Sequence, residues 1–191
     1  MFSNRFLKML NREASSPKMG ADKIIANLPL SEGTAVADIG SGGGFFTFAF
    51  ARKVGMSGTV FAVDTNPKYL DFIKNQALEE GLSNIEYIIA EENRTNLPES
   101  SLDLIFARNV FHHLSDPEDY FRGLKQALKP SGKIAIIDHG PGKGFNFVNL
   151  FKHFTPVEKI INTMESAGYS LYESFDFLPS QSFTIYSLAD R

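Results

Sequence analysis

The sequence predicts an α/β fold in which βα units wind around a parallel sheet. Two observations carry this expectation. Short apolar runs rich in Val and Ile alternate with longer stretches of helical period, the pattern of strands joined by covering helices. The first of these runs leads into Gly40-Ser41-Gly42-Gly43-Gly44 and then straight into a helical stretch. Neither repeats nor a Pro/Ser-rich linker divides the chain, so its 191 residues are expected to share one core.

Taken in order, residues 1–20 form an N-terminal arm or lid, loosely attached, and residues 21–191 form the domain. Ala21–Leu28 has helical spacing. Ala35–Ile39 is the first strand and Phe45–Val54 the helix behind it. Thr59–Val63 is the second strand. A helix follows from Pro67 to about Glu80, because proline is tolerated in a first helical turn and Gly81 supplies a left-handed stop. Asn84–Ile89 and Leu102–Ala107 read as the third and fourth strands. Pro117–Leu128 reads as a helix closed by Pro130-Ser131-Gly132, and Lys133–Asp138 as the fifth strand. Gly140–Phe154, rich in Gly and Phe, is expected to be a functional loop or a poorly ordered stretch. Pro156–Ala167 is helical and Gly168 stops it. Ser170–Asp176 and Ser182–Leu188 then make an antiparallel hairpin around a Pro-Ser turn.

Composition narrows the function classes. Hydrophobic residues at 43% and charged residues at 21% are ordinary for a globular domain. The chain has no Cys, which removes disulfides, thiolate metal sites and cysteine nucleophiles together and fits a reducing compartment. A formal charge of −3 provides no field for gathering polyanions. The N-terminus mixes Arg5 and Lys8 with Phe2, Phe6, Leu7 and Met9, without the unbroken apolar run of a signal peptide, and no window approaches a membrane span. The expectation is therefore a cytoplasmic protein that binds neither nucleic acid nor membrane, as monomer or homodimer.

The glycine cluster carries the most chemistry. Side chains there would block a ligand lying on the backbone, and a tight strand-to-helix turn calls for positive φ. The spacing is not that of the dinucleotide fingerprint, which wants a third glycine where Phe45 stands. It reads Asp-x-Gly-x-Gly-x-Gly instead, with Asp38 two residues before Gly40. A carboxylate so close would repel a pyrophosphate and suit a cationic ligand. Asp64 closes the second strand twenty residues after Gly44, the place from which a carboxylate accepts hydrogen bonds from ribose hydroxyls. A plain helix cap is the competing role for Asp64, although Asn66 is better placed for it.

With these residues the chain resembles the class I S-adenosylmethionine-dependent methyltransferases, closest to their small-molecule branch. The resemblance rests on Asp38–Phe45 and Asp64, then Leu97-Pro98…Leu102-Asp103-Leu104-Ile105 and Arg108-Asn109-Val110-Phe111-His112-His113-Leu114. It runs from about Gly33 to the C-terminus. It implies a Rossmann-like, doubly wound, seven-stranded, mostly parallel sheet with a reversed last strand and helices on both faces. It also implies S-adenosylmethionine as cofactor, S-adenosylhomocysteine as product, and a small-molecule methyl acceptor. Gly40, Ser41, Gly42 and Gly44 would meet the methionine part and Asp64 the ribose, with Thr65 and Arg108 as further cofactor-binding candidates. Many relatives place an Asp after the third strand to hold the adenine amino group. Here the stretch is Ile89-Ala90-Glu91-Glu92-Asn93-Arg94, and either Glu91 or Glu92, or the backbone alone, takes that role.

Methyl transfer from a sulfonium is an in-line displacement, so positioning in a dry pocket supplies much of the acceleration. A base is needed only where the acceptor must lose a proton. His139 and His113 are the catalytic candidates, His139 because it follows the fifth strand beside Asp138, and His113 because it follows the fourth; packing the next helix is the competing role for His113. His112 shares that position, and His153 reads as a pocket rim or core residue. No histidine pair has the spacing of a metal site, so no metal is expected. Phe45, Phe46, Phe111, Phe145 and Phe147 suit an apolar or planar acceptor, or simply fill the core. An Asn/Asp-Pro-Pro-aromatic tetrad, which resemblance would demand for methylation of nucleobase amino groups, is replaced by Arg108-Asn109-Val110-Phe111. The alternatives are a protein or RNA methyltransferase of this fold and a non-catalytic S-adenosylmethionine-binding protein; a nicotinamide dehydrogenase fits the glycine spacing least well.

Overall fold

The computed structural model describes residues 2–91, 94–140 and 155–189. It contains seven strands, β1 (Ala35–Ile39), β2 (Thr59–Asp64), β3 (Ile85–Ile89), β4 (Leu102–Arg108), β5 (Leu128–His139), β6 (Tyr169–Phe175) and β7 (Gln181–Leu188). They form one sheet in the order β3-β2-β1-β4-β5-β7-β6. The first five strands are parallel, and β7 runs antiparallel to both β5 and β6. The doubly wound sheet and its reversed last strand are therefore as the resemblance implies. Strand order reverses between β1 and β4, and the carboxyl ends of those strands open the crevice where ligands of such sheets bind.

Period-two alternation sorts the strand side chains onto two cores. Along β4, Leu104 and Phe106 join one cluster while Ile105 and Ala107 join the other; Leu102, beyond a register shift in the strand, also joins the second. The first cluster packs under α2 (Ala21–Asn27), α3 (Phe45–Val54) and α4 (Pro67–Glu79); the second packs under α5 (Pro117–Leu124) and α6 (Val157–Ser166). The α4 cap is Asn66, whose side chain accepts from the Lys68 amide at 3.1 Å. The cap of α5 is Asp116, accepting from the Asp119 amide at 3.0 Å. Both helices begin with a proline in the first turn.

Two expectations need correction. The helix expected over Pro117–Leu128 ends at Leu124, followed by one 3₁₀ turn, and Leu128 already belongs to β5. Leu128 pairs with Leu102 and Lys133 with Leu104, so residues 129–132 loop out within the strand. The Lys129 ammonium holds that loop to Asp103 at 2.7 Å. The second correction concerns the arm. Residues Phe2–Ala14 form a helix, α1, which docks rather than dangles. Leu7 is fully buried, and the Asn11 side chain donates to the Gly43 carbonyl at 2.7 Å. The stretch 141–154, with Phe145, Phe147 and His153, lies outside the described residues, as does Glu92.

The tightest part of the first cluster is aromatic. Phe50, fully buried on α3, meets Phe106 edge-on at 5.1 Å between ring centroids and Phe46 at 5.8 Å. Truncating a buried ring removes both its transfer energy and the contacts of its neighbours. Phe50→Ala is therefore expected to cost about 3–5 kcal/mol of folding stability in urea titrations. A loss below about 1 kcal/mol would show that this cluster is not close-packed.

Candidate functional site

The site is built on the turn between β1 and α3. Gly40, Gly42 and Gly44 all have positive φ, so three of the four glycines meet a backbone requirement. The fourth, Gly43, is needed for space: a Cβ there would lie 2.7 Å from the Leu7 carbonyl oxygen of α1. The amides of Gly40 and Ser41 both donate to the Val63 carbonyl, at 2.8 and 3.0 Å. That bond pair ties the turn to the end of β2.

Two acids flank the turn in different hydrogen-bonding surroundings. Asp38, on β1, is almost fully buried and accepts a hydrogen bond from the Thr47 hydroxyl at 2.6 Å. Burial pushes its pKa up to about 7, and nearby Asp64 pushes in the same direction. Asp64, at the end of β2, accepts from the Gly42 amide and the Asn66 amide, each at 2.9 Å. Asn66, not Asp64, caps α4. The Asp64 carboxylate therefore ties β2 to the glycine turn.

Two cavities open on opposite sides of this turn. The first, about 390 Å³, is lined by Asp38, Ser41, Gly43, Phe45, Phe46, Phe106, Arg108 and His139, with Leu10, Asn11, Glu13 and Ala14 of α1 along its side. The second, about 430 Å³, is lined by Asp64, Thr65, Tyr69, Glu91, Val110, Leu114 and Tyr120. Gly40, Gly42, Asn109 and His113 line both. A two-ended ligand lying across the glycine turn would reach both spaces. Its polar, cationic end would lie beside Asp38, and its hydroxyl-bearing end beside Asp64 and between apolar walls. An S-adenosyl amino acid has those two ends, so the residues present fit it. The Ser41 hydroxyl, buried without a partner among the described residues, fits it too, as an orphan polar atom at the cavity wall.

Of the sequence candidates, Asp38, Gly40, Ser41, Gly42, Asp64, Thr65, Glu91, Arg108, His113 and His139 all line one cavity or the other. Gly44 serves the turn itself, preceding α3 at φ +82. Phe45 and Phe46 line the first cavity, whereas Phe111 is buried against Phe121 in the second core. Among the described residues no group of His, Asp and Glu could hold a metal ion. No described helix is long and apolar enough to cross a membrane.

Several site residues were not singled out from sequence. Asp138, completely buried at the end of β5, accepts from the His112 ring at 2.6 Å, the His112 amide at 3.0 Å and the His139 amide at 2.7 Å. One carboxylate thus fixes the backbone that carries both His112 and His139. The His139 pKa is lowered, chiefly by burial and further by His112 and Arg108, against an opposing pull from Asp138. Its imidazole is accordingly neutral near pH 7 and able to take up a proton. Asn109 holds φ +57, an uncommon conformation for a residue with a side chain, and its side-chain oxygen Oδ1 accepts from the Gln181 side-chain amide at 2.6 Å. The positions of Asp138 and Asn109 at strand ends were a usable signal; for Gln181, seventy-two residues from its partner, there was none.

Comparison with known proteins agrees with this fold. A family model described as a methyltransferase domain matches residues 30–178. The ubiquinone/menaquinone biosynthesis C-methyltransferase UbiE of Hahella chejuensis is 31% identical over 107 residues, covering 56% of this chain and 43% of that protein. The arsenite methyltransferase of Halobacterium salinarum is 27% identical over 109 residues, covering 57% and 28% respectively. The chain thus spans less than half the length of these two relatives. A crystal structure of a SAM-dependent methyltransferase from Aquifex aeolicus superposes with a TM-score of 0.86 at 26% identity, covering all of both chains. With its sheet order, its glycine turn and a family match over most of its length, the chain belongs to the class I S-adenosylmethionine-dependent methyltransferases.

Proposed function

We propose that the protein transfers the methyl group of S-adenosylmethionine to a small-molecule acceptor by in-line displacement. The observation that carries this is the pair of cavities meeting at Gly40, Gly42, Asn109 and His113. One cavity has the acids for a nucleoside and the other an aromatic wall beside a neutral imidazole. The names of the relatives, a quinone-biosynthesis C-methyltransferase and an arsenite methyltransferase, support a small acceptor, and so does the enclosure of the first cavity by α1. A net charge of −3 speaks against a polyanionic acceptor. A cysteine-free chain fits a cytoplasmic setting.

When bound, S-adenosylmethionine supplies an electrophilic methyl group on a sulfonium. The residues divide the remaining work. The glycine turn gives close backbone approach. Asp38 offsets the ligand's positive charge, Asp64 accepts from ribose hydroxyls with Thr65 beside it, and Glu91 is the candidate for the adenine amino group. Phe45, Phe46 and Phe106 hold an acceptor and keep water out. His139 takes the acceptor's proton where one must leave, and His113 lines the junction of the two cavities.

Three outcomes test this reading. S-adenosylmethionine and S-adenosylhomocysteine should each raise the melting temperature, while NAD should not; a shift with NAD alone would sink it. Replacing Asp64 by Ala should weaken S-adenosylhomocysteine binding by about tenfold or more, the size expected for hydrogen bonds to a charged group. In calorimetry, an affinity loss under about threefold would return Asp64 to a purely structural role.

The third outcome is pH dependence at Asp38. Its folded pKa of about 7 lies above the ordinary carboxylate value of 3.8, so the folded chain retains a proton that the unfolded chain has released. The stabilisation is complete below 3.8 and is lost as pH rises through 7. A cationic ligand favours the ionised form, so binding should tighten and release a proton as pH rises from about 5.5 to about 8. Asp38→Asn should flatten both slopes. An unchanged pH profile of S-adenosylhomocysteine affinity in that variant would remove Asp38 from the ligand's surroundings.

A further inference from the structure

Arg108 ends β4 in the first cavity, and its surroundings leave it short of partners. Its guanidinium carbon lies 5.1 Å from the centre of the Phe46 ring. Its Nη2 donates to the Gln181 side-chain oxygen at 2.8 Å and to the Met19 carbonyl at 3.3 Å. Nε and Nη1 are buried and have no acceptor among the described residues. These two nitrogens carry about three of the five N–H groups of a guanidinium. Burial lowers the pKa only to about 10, so the group stays charged near pH 7. Glu13 lines the same cavity and acts on Arg108 only through space. A buried cation with unmet donors is costly, and an anion that meets them is correspondingly favoured.

The position of Arg108 says which anion. The Phe46 ring and the Gln181 tether hold the guanidinium in place, whereas the Met19 bond at 3.3 Å is at the long limit for such contacts. A carboxylate entering the cavity can replace that carbonyl by a side-chain shift. Arg108 lines the cavity that also holds Asp38 and His139, and not that of Asp64. Its charge is also one of those that lower the His139 pKa, which places the two side chains at one end. A guanidinium beside His139 favours a negative group at that end, while Asp38 in the same cavity suits the cofactor's positive end.

Resting on the methyltransferase reading, we propose that Arg108 is the specificity residue for the acceptor, which is a small acid. Its carboxylate lies on the guanidinium and its apolar or planar body lies on Phe45, Phe46 and Phe106. Gln181 is the positioning residue, since it fixes Arg108 through Oε1 and Asn109 through Nε2.

The test uses benzoate and its uncharged counterpart benzamide as probes, titrated by calorimetry into the full-length protein saturated with S-adenosylhomocysteine. Wild type should prefer benzoate by about tenfold or more, as a charge-assisted contact in a water-poor site requires. Arg108→Met should reduce that preference below about threefold, and Arg108→Lys, which keeps the charge, should restore part of it. Circular dichroism checks that both variants are folded, and their S-adenosylhomocysteine affinity should remain within about threefold of wild type. Equal binding of acid and amide by wild type would overturn the proposal, and so would a preference that survives Arg108→Met. It would also fall if Arg108→Met lost S-adenosylhomocysteine affinity while keeping that for methylthioadenosine, because the arginine would then serve the cofactor's own carboxylate. The acid–amide comparison is repeated without cofactor. Failure to bind S-adenosylhomocysteine would sink the methyltransferase reading, whereas the ratio of acid to amide judges Arg108 separately.

Discussion

The carbonyl of Val63 accepts from the amides of both Gly40 and Ser41, and the site depends on this small knot. It joins the end of β2 to the start of the glycine turn, fixing the turn relative to Asp64. It also brings the chain round so that Gly42 reaches the Asp64 carboxylate and Gly43 reaches α1. Left-handed backbone at Gly40, Gly42 and Gly44 is what lets the chain close the knot and still enter α3 three residues after Gly42. A side chain at any of these positions would oppose the conformation, and at Gly40 and Gly44 it would also meet a neighbour. At Gly40 a Cβ would approach Val110 to 2.6 Å, and at Gly44 it would approach Ile73 to 2.8 Å. The same glycines that would admit a ligand are thus already required by the ligand-free fold.

The two acids near the knot show how one turn separates charge. Asp38 and Asp64 are both buried to within about a tenth of full exposure. Asp38 has one hydroxyl donor and is pushed towards the neutral form by burial. Asp64 receives two backbone amides. The proximity of the second charge to the first is itself among the causes that raise the Asp38 pKa. A cation beside Asp38 relieves that repulsion, so the pair is arranged to respond to a positively charged ligand at one end and a neutral hydroxyl-bearing one at the other.

Most strands, and the glycine turn itself, were legible in the sequence because their signals are local. Period-two burial, a run of glycines and an acid at a strand end can each be read within ten residues. The misreadings are non-local. Residues 125–128 continue the helical spacing of α5, yet Leu128 is drawn into the sheet by pairing with Leu102, a partner that spacing does not reveal. The helix α1 has no acid in its first turn to mark its start, and its docking depends on a gap that only Gly43 leaves. Asp138 and His112 are twenty-six residues apart, and Arg108 and Gln181 seventy-three. The glycine turn with Asp38 and Asp64 was therefore readable, being carried by one βαβ unit, whereas the surroundings of Arg108 and His139 are assembled from β4, β5, β7 and α1.

That division has a physical consequence for how the two halves communicate. The helix α1 is held to the glycine turn by the Asn11 bond to the Gly43 carbonyl and by its backbone lying over Gly43. The same helix supplies Leu10, Glu13 and Ala14 to the side of the first cavity. Any ligand that shifts the glycine turn must therefore shift α1 or break its contact, and the cavity around Arg108 and His139 changes shape with it. Leu7 at full burial makes wholesale release of α1 costly, on the order of 2–3 kcal/mol for exposing one leucine side chain. A tilt about Leu7 costs less, since it spares that contact and exchanges only the Asn11 hydrogen bond. The geometry thus favours a small rocking of α1 over its departure, and links ligand binding on the glycine turn to the shape of the first cavity beside the helix.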